Sequence, residues 1–318
     1  MANPWVLAAR PRTLGAAVAP VMVGTVLAYA AGQFEPIAAV LCLLFAVLIQ
    51  VGTNYANDYF DAVKGADTPE RAGPTRAVAA GLIAPQTMKR GAFGVLAVAF
   101  LVGMGLVPFG GWWLVGVGVV SVISAVAYTA GPLPLAYVGL GDVFVFIFFG
   151  LVAVGFTYFV QVGSFSEEAW LAGACCGALA VNILVVNNVR DRISDEKVGK
   201  RTLAVRFGRM FSIIQFSLAN LLASFVPVYL YVRGDFGPWI LLPVPLYFLG
   251  SLQRMGLLRA KTREQYGRLL SRAALTLVLW SVLFTGGVLI DSTAGKVAKE
   301  KGDPTNEAAV ESVDESAP

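Results

Sequence analysis

Residues 50–76 read QVGTNYANDYFDAVKGADTPERAGPTR, directly after an apolar run at residues 36–49 that is long enough to enter a bilayer. With about 100° per residue on a helix, four polar side chains of this stretch share roughly one third of the circumference. They are Asn54, Asn57, Asp58 and Asp61. We therefore expect two carboxylates and two carboxamides to face inward together at the end of a membrane helix. Ionisable groups in such a position are costly and are functional by default.

A second polar stretch, NNVRDRISD at residues 187–195, repeats this arrangement much later in the chain. Its face carries Asn187, Asn188, Asp191 and Asp195. One such cluster could be a solvated helix end, but two clusters of the same design favour a functional site. Four carboxylates with basic residues nearby indicate an oxygen-ligand site for Mg²⁺ that carries a phosphorylated substrate.

Composition predicts the environment of these two stretches. The chain has 318 residues, of which 57% are hydrophobic and only 14% are charged. Apolar runs of roughly 20 residues recur along the chain and predict an all-α, polytopic membrane protein. We predict nine spans, at about residues 14–31, 36–53, 91–109, 112–129, 141–162, 169–188, 211–232, 238–251 and 272–290.

The distribution of lysine and arginine predicts the orientation. With nine spans, 20 of the 24 Lys and Arg residues fall on the side that holds both acidic stretches. The positive-inside rule makes that side and the N-terminus cytoplasmic, in the cell inner (plasma) membrane, and puts the C-terminus on the opposite side. Residues 1–290 are predicted to form the transmembrane domain, and the polar residues 291–318 a disordered tail.

The side chains available for chemistry are limited. The chain contains no histidine, which excludes imidazole acid–base chemistry and a Ser-His-Asp triad. Cys42, Cys175 and Cys176 lie in apolar runs without metal-ligand spacing. The formal charge is +4, and the positions of the basic residues along the chain indicate membrane orientation. No nucleic-acid partner is predicted.

Basic residues beside the acidic stretches are candidates for phosphate binding. They are Lys64, Arg71, Arg76, Lys200 and Arg201. Arginine suits bidentate phosphate contacts and lysine supplies a point charge. The alternative for each of them is a topology signal or a contact with the headgroups of membrane lipid.

Three segments of this sequence resemble the three signature regions of one family, the UbiA superfamily of intramembrane prenyltransferases, and a fourth segment near the N-terminus also fits it. Three are NYANDYFDAVKGADTPERAGPTRAVAAGLI (54–83), YTAGPLPLAYVGLGD (128–142) and NNVRDRISDEKVGKRTLAVRFG (187–208). The fourth is ARPRTLGAAVAPVMVGT (9–25), so that the resemblance spans about residues 8–290. Within the superfamily, the segments are most similar to the branch that acts on 1,4-dihydroxy-2-naphthoate in menaquinone biosynthesis.

The resemblance implies nine transmembrane helices around a central cavity with a cytoplasmic cap. It also implies Mg²⁺ held between the substrate diphosphate and the two motifs, with Asp58, Asp61, Asp191 and Asp195 as catalytic residues. Asn54 joins these four as a metal ligand. The diphosphate-binding positions are Asn54, Lys64, Arg71, Arg76, Asn187, Lys200 and Arg201. Many superfamily members carry a basic residue after the fourth helix, but residues 128–137 contain none, which leaves Tyr128 as a candidate for cation stabilisation or ring contact.

The implied enzyme is a prenyltransferase that transfers a polyprenyl group from polyprenyl diphosphate to 1,4-dihydroxy-2-naphthoate. Mg²⁺-assisted ionisation, attack by the ring and loss of the carboxylate would give demethylmenaquinone. Alternative acceptors are 4-hydroxybenzoate and homogentisate. A cation-coupled organic-anion transporter is the alternative from another class, although transporters more often carry such acids near the bilayer midplane. A phospholipid-head alcohol transferase also uses clustered Asp and Mg²⁺, but its signature is absent from the sequence.

Overall fold

The computed structural model describes residues 3–65 and 76–301, and the side chains in those ranges apart from Arg12 and residues 295–301. All regular elements in these ranges are helical. The α-helices are α1 (Pro4–Ala9), α2 (Pro11–Ala30), α3 (Pro36–Val63), α4 (Pro85–Met104), α5 (Val107–Gly110), α6 (Trp113–Ala127), α7 (Gly141–Phe146), α8 (Ala153–Val162), α9 (Glu167–Lys197), α10 (Leu203–Arg233), α11 (Leu246–Arg259) and α12 (Arg263–Lys301). A π-helix, Ile147–Val152, joins α7 to α8, and a 3₁₀ turn, Pro238–Leu241, precedes α11.

Local sequence signals set many of the helix ends. Proline opens α2, α3 and α4, where its missing N–H costs no helical hydrogen bond. Ser166 and Thr202 cap α9 and α10, each accepting a hydrogen bond from a backbone N–H three residues later. Gly163 and Gly234 end α8 and α10 in the left-handed conformation that glycine adopts most readily.

Each predicted span overlaps a helix of the structure, and the protein is an all-helical, multi-pass membrane protein. Eight helical segments in the described ranges are long and apolar enough to cross a membrane. The predicted span at residues 112–129 corresponds to α6, which has only 15 residues. Since a bilayer crossing needs about 20 residues, the count of nine spans stays a prediction.

Contacts at the end of α6 show that the chain nevertheless returns across the bundle there. We call the end of the bundle that carries Asp61 and Asp191 the acidic end. Thr129, two residues after α6, accepts a hydrogen bond from Lys64 through its backbone carbonyl and donates one to Asn57 through its hydroxyl. Lys89, in the first turns of α4, lies over the ring of Tyr59 in α3, so α4 starts at this same end.

Several helices are longer than their predicted spans. α3 and α9 continue without a break to Val63 and Lys197, so both polar motifs lie on regular helix that projects beyond the apolar part. α10 is interrupted at Gly208 (φ 81°, ψ 177°), and its spanning part follows that break. α12 runs to Lys301, past the predicted boundary at residue 290. Residues 302–318 lie outside the described ranges, and their disorder stays a prediction.

A close approach of backbones holds the π-helix against α9. A Cβ atom added at Gly177 would collide with the carbonyl oxygen of Phe146 and would lie 3.2 Å from the Cα of Gly150. The π-helix replaces the regular α-helical ladder next to the residues that line the central cavity, as π-bulges often do near functional sites. Glycine at position 177 therefore positions one wall of that cavity.

Replacing Gly177 with alanine is expected to destabilise the fold by about 1–3 kcal/mol, because the added methyl group meets backbone that cannot rotate away. Thermal unfolding of the purified protein in detergent measures the effect. Gly116→Ala in α6 is the matched control, since a Cβ atom there meets no other atom within 4 Å. Equal unfolding temperatures for the two variants would contradict the close packing at Gly177.

Candidate active site

A cavity of about 250 Å³ opens between the acidic ends of α3 and α9. Its wall combines charged and polar side chains from both motifs and from α2, α6 and α7. The polar members include Arg10, Thr13, Gln50, Asn54, Asn57, Asp61, Arg76, Tyr128, Asp142, Asn187, Asn188, Asp191 and Lys200. The structure thus brings together, in one cavity, residues that are more than 100 positions apart in the sequence.

A second cavity, of about 130 Å³, adjoins the first deeper in the bundle and is lined almost entirely by apolar side chains. Both cavities share wall residues, including Ile49, Phe148 and Phe149, the last two from the π-helix. A charged mouth that continues into an apolar interior suits a molecule with an anionic head and a hydrocarbon tail.

Asp61 is the carboxylate of the first motif that reaches the cavity. Its Oδ2 accepts a hydrogen bond from Arg76 Nη2 at 3.0 Å, and its Oδ1 accepts one from the hydroxyl of Tyr137 at 3.1 Å. Both Asp61 and Arg76 are buried. The pair places a guanidinium beside a hard oxygen ligand, which suits binding of a phosphate together with a metal ion.

Asp58 has different surroundings, although it shares the predicted face with Asp61. Its two oxygens accept hydrogen bonds from the backbone N–H groups of Ala77 and Val78, each at 3.0 Å. The side chain is only 1% exposed and is not part of the cavity wall in the described chain. These contacts fasten the segment that carries Arg76 to α3.

In the second motif, Asp191 lines the cavity and is held by the residue before it. Arg190 donates from Nε and Nη2 to the two Asp191 oxygens, both at 2.7 Å, in a bidentate arrangement. Asn187, one turn earlier, also lines the cavity. Asp195 is buried beside the wall, where Lys200 Nζ lies 3.6 Å from its Oδ1.

Asn54 connects the first motif to the start of the chain. Its amide nitrogen donates to the carbonyl of Ala9 at 2.9 Å and approaches the hydroxyl of Thr13 at 3.4 Å. Between those two residues, Arg10 has φ 52° and ψ 68°, the only non-glycine residue with a positive φ in the described chain. This conformation joins α1 to α2 with the Arg10 side chain in the cavity wall.

The loop after α6 contains no basic residue up to Tyr137, but two lysines from other segments lie next to it. Tyr137 lies between two lysines, with Lys64 Nζ 4.8 Å and Lys200 Nζ 5.6 Å from its ring centroid. Burial lowers the pKa of Lys64 from its ordinary value, and the carboxylate of Asp61 raises it again in part. A phosphate oxygen brought to this position would favour the charged form of Lys64 further.

The predicted site residues therefore separate into three groups. Those in the cavity wall are Asn54, Asp61, Arg76, Tyr128, Asn187, Asp191 and Lys200. Those beside it, but outside its wall in the described chain, are Asp58, Lys64, Asp195 and Arg201, of which Lys64 and Arg201 are solvent-exposed. Arg71 falls at residues 66–75, outside the described ranges.

Sequence reasoning did not assign a role to several polar wall residues, among them Arg10, Gln50 and Asp142. Arg10 belongs to the segment ARPRTL, whose two arginines before an apolar run offered a signal. Gln50 lies one turn before Asn54 and approaches Thr13 at 3.4 Å, and a polar residue in an apolar span was its signal. Asp142 stood in the Gly- and Pro-rich loop as its only acid.

The donor set fits a magnesium ion that is shared with a ligand. Cavity-facing carboxylates and carboxamides are hard oxygen donors, which Mg²⁺ prefers. No group of three or more acidic or cysteine side chains in the described chain is close enough to hold an ion by itself. Three cations, Arg10, Arg76 and Lys200, are balanced in the wall by Asp61, Asp142 and Asp191. A diphosphate adds several negative charges, so a divalent cation bound with it would restore the balance.

Comparison with known proteins assigns a family to this architecture. The sequence model of a family described as "UbiA prenyltransferase family" matches residues 17–282. A protein of Escherichia coli named 1,4-dihydroxy-2-naphthoate octaprenyltransferase is 41% identical over 214 residues, 65% of this chain and 69% of its own length. A protein of Mycobacterium leprae with the same name is 34% identical over 90% of this chain and 96% of its own length.

The fold also matches a solved structure, that of a UbiA homologue from Archaeoglobus fulgidus described as bound to DMAPP and Mg²⁺. It superposes with a TM-score of 0.58 over 88% of this chain and 98% of the homologue, at 14% sequence identity. At that identity the likeness concerns the arrangement of helices.

Proposed function

This chain belongs to the UbiA prenyltransferase family, and we propose that it transfers a polyprenyl group from polyprenyl diphosphate to 1,4-dihydroxy-2-naphthoate. One observation carries the proposal from the structure, namely the charged cavity that continues into an apolar one. The names of the E. coli and M. leprae relatives support the acceptor. Membership of a prenyltransferase family also favours an enzyme over the transporter considered from the sequence.

The diphosphate head binds at the acidic end in this proposal. Arg76 and Lys200 lie in the cavity wall, Arg76 next to Asp61 and Lys200 next to Asp195. Lys64 lies against the ring of Tyr137. Asp61 and Asp191, with Asn57 and Asn187, are the residues that would hold Mg²⁺ together with the diphosphate oxygens. Asp58 then acts as a positioning residue for the Arg76 segment, since both of its oxygens bind backbone N–H groups.

The charges of this site favour departure of diphosphate. Bound Mg²⁺ would stabilise the negative charge that develops on the leaving diphosphate. Arg76 and the partly buried Lys200 add positive charge at the same place, and the burial of Arg76 strengthens its interaction. The allylic C–O bond breaks and its electron pair leaves with diphosphate, while the apolar walls from the π-helix keep water from the allylic cation.

The second half of the reaction needs no external base. The ring carbon that bears the carboxylate attacks the allylic carbon, and a C–C bond forms. The electron pair of the bond to the carboxyl group returns to the ring as carbon dioxide leaves. Atoms and electrons balance with the quinol form of demethylmenaquinone as the product. Because no base is needed before the new bond forms, the step agrees with a chain that contains no histidine.

We further propose that the acidic end faces the cytoplasm of the cell inner membrane. The basic residues near the motifs support this orientation by the positive-inside rule. It would let a water-soluble naphthoate and a lipid-embedded prenyl donor meet where the charged mouth adjoins the apolar interior.

The acceptor is tested with purified protein, Mg²⁺ and a radiolabelled prenyl diphosphate, offered 1,4-dihydroxy-2-naphthoate, 4-hydroxybenzoate or homogentisate in parallel. We expect label in a lipid-soluble product with the naphthoate alone, together with one carbon dioxide released per transfer. Label with the benzoate or homogentisate instead would overturn the proposed acceptor and keep the chemistry. Transfer to none of the three by folded protein would overturn the proposed function.

A further inference from the structure

Asp142 is a buried carboxylate in the cavity wall to which the reaction as described assigns no role beyond the charge balance of the wall. It lies in the first turn of α7, is 5% exposed, and forms no ion pair with a lysine or arginine of the described chain. Its side-chain partner is Gln215 of α10, whose Nε2 donates to Asp142 Oδ1 at 3.0 Å. The carboxylate also accepts from its own backbone N–H, so both of these partners are uncharged. Burying a charge is costly unless it is well paired.

The position of Gln215 orients this carboxylate. Its amide nitrogen can serve only as a donor, which assigns Asp142 the acceptor role in their contact. The other amide atom, Oε1, is buried without a hydrogen-bond partner in the described chain. The amide is therefore held in its orientation by Asp142, and it fixes the carboxylate at the edge of the cavity.

The surroundings of Asp142 differ from those of the two acidic motifs. Asp61 and Asp191 are each held by an arginine, as expected for groups that work beside a diphosphate. Asp142 instead adjoins Gly141, where an added Cβ atom would lie 3.2 Å from the hydroxyl of Tyr128, another wall residue. A carboxylate without an ion-pair partner suits a neutral donor such as a hydroxyl group and repels phosphate and carboxylate groups.

From this geometry we infer that Asp142 binds the aromatic acceptor by accepting a hydrogen bond from one of its ring hydroxyl groups. The inference rests on the proposed function, because it assumes a hydroxylated aromatic acceptor. A hydroxyl group that donates to a carboxylate makes its ring more electron-rich, and the contact directs the negatively charged carboxyl group of the acceptor away from Asp142. Asp142 thus selects and orients the acceptor, while Gln215 is a positioning residue.

The test is equilibrium binding to the purified protein in the presence of inorganic pyrophosphate and Mg²⁺, which fill the head site without reaction. The ligands are 1,4-dihydroxy-2-naphthoate and its two analogues that lack one hydroxyl group, 1-hydroxy-2-naphthoate and 4-hydroxy-2-naphthoate. For the wild type we expect one analogue to bind roughly 10- to 100-fold more weakly than the dihydroxy compound, as the loss of a hydrogen bond to a charged group implies. In Asp142→Asn that difference should shrink to about twofold or less.

If the role of Asp142 is merely structural, Asp142→Asn should weaken the binding of all three ligands equally. The difference in affinity between the dihydroxy compound and its analogue would then stay unchanged, and that result would overturn the inference. If Asp142→Asn does not fold, Gln215→Met leaves the carboxylate in place and should reduce the same difference in part. Its matched control is Gln253→Met, which removes a buried glutamine bonded to Thr276 in the bundle interior and should leave the difference intact.

Turnover separates failure of the inference from failure of the proposed function. With the dihydroxy acceptor, Asp142→Asn should lose kcat/KM roughly in proportion to its lost binding, while its KM for prenyl diphosphate stays within about twofold of the wild type. Full kcat/KM in Asp142→Asn, with an active wild type, overturns the inference alone. A wild type that cannot prenylate the dihydroxy acceptor overturns the proposed function, and the inference with it.

Discussion

Asp61→Asn should lower kcat by roughly 10²- to 10³-fold or more, the size of effect seen when one group that stabilises the transition state is removed. Asparagine keeps the shape of the side chain and can still accept the hydrogen bond from Tyr137. It loses the negative charge that pairs with Arg76 and that would hold the metal. The measurement is turnover of 1,4-dihydroxy-2-naphthoate at saturating prenyl diphosphate by the purified variant.

The control for this variant is Asp235→Asn, which removes a carboxylate bonded to Arg233 at the far end of the bundle. It should keep wild-type turnover. Thermal unfolding of both variants checks that any loss at Asp61 is not a loss of fold. A folded Asp61→Asn protein that retains more than a tenth of the wild-type kcat would remove Asp61 from the proposed metal site.

Removal of divalent cations is the second large effect. Treatment with EDTA should abolish turnover, and Mg²⁺ in excess of the chelator should restore it fully. The physical reason is the charge balance of the wall, where three carboxylates already offset the three cations before a diphosphate enters. Without a divalent ion, the developing charge on the leaving group would be stabilised by Arg76, Lys200 and Arg10 against that opposing charge.

Binding measurements distinguish a catalytic role of the ion from a structural one. The unfolding temperature should change little with EDTA in the absence of diphosphate, because the described side chains form no site that holds an ion alone. Inorganic pyrophosphate should raise the unfolding temperature more with Mg²⁺ than without it. Turnover that is indifferent to chelation would falsify the metal-assisted mechanism.

Much of the fold followed from composition and from the two polar motifs. The apolar runs predicted the spanning helices, and the comparisons confirm the family that the four quoted segments resemble. Helix ends were predicted less well. α12 runs past its predicted end to Lys301, and α11 ends at Arg259 rather than near residue 251. In contrast, α3 and α9 run through both polar motifs, as the shared helix faces predicted, because polar side chains that face a cavity do not interrupt backbone hydrogen bonding.

Helical periodicity placed Asn54, Asn57, Asp58 and Asp61 on one face but could not say what each would meet. A face one third of a helix wide contacts more than one neighbour. Here Asp58 meets the N–H groups of Ala77 and Val78, whereas Asp61 meets Arg76, Tyr137 and the cavity. The assignment of Asp58 as a metal ligand remains a prediction, and its contacts support the positioning role proposed above.

The loop at residues 128–137, which contains no basic residue, also shows that a sequence pattern does not reveal what a residue meets in the fold. The absence of a basic residue cast doubt on a diphosphate role for this loop. In the folded protein, Lys64 and Lys200 approach Tyr137 of that loop from two other segments, because α3 and the turn after α9 end beside it. Charge at a site is a property of the assembled side chains, whichever segment supplies them.

The sequence by itself determined the class of the molecule. Its apolar runs require a helical membrane protein, since every backbone polar group in a bilayer must be satisfied within a helix or a closed barrel. Its intramembrane acids, amides and basic neighbours indicated an anionic substrate and a hard cation. Only the tertiary structure decided which side chains share a cavity, because packing of α3 and α9 against α2, α6 and α7 selects them. That packing brings Arg10 and Asp142 into the cavity wall and places Lys64 and Lys200 against the ring of Tyr137. The spacing of residues along the sequence does not predict these contacts.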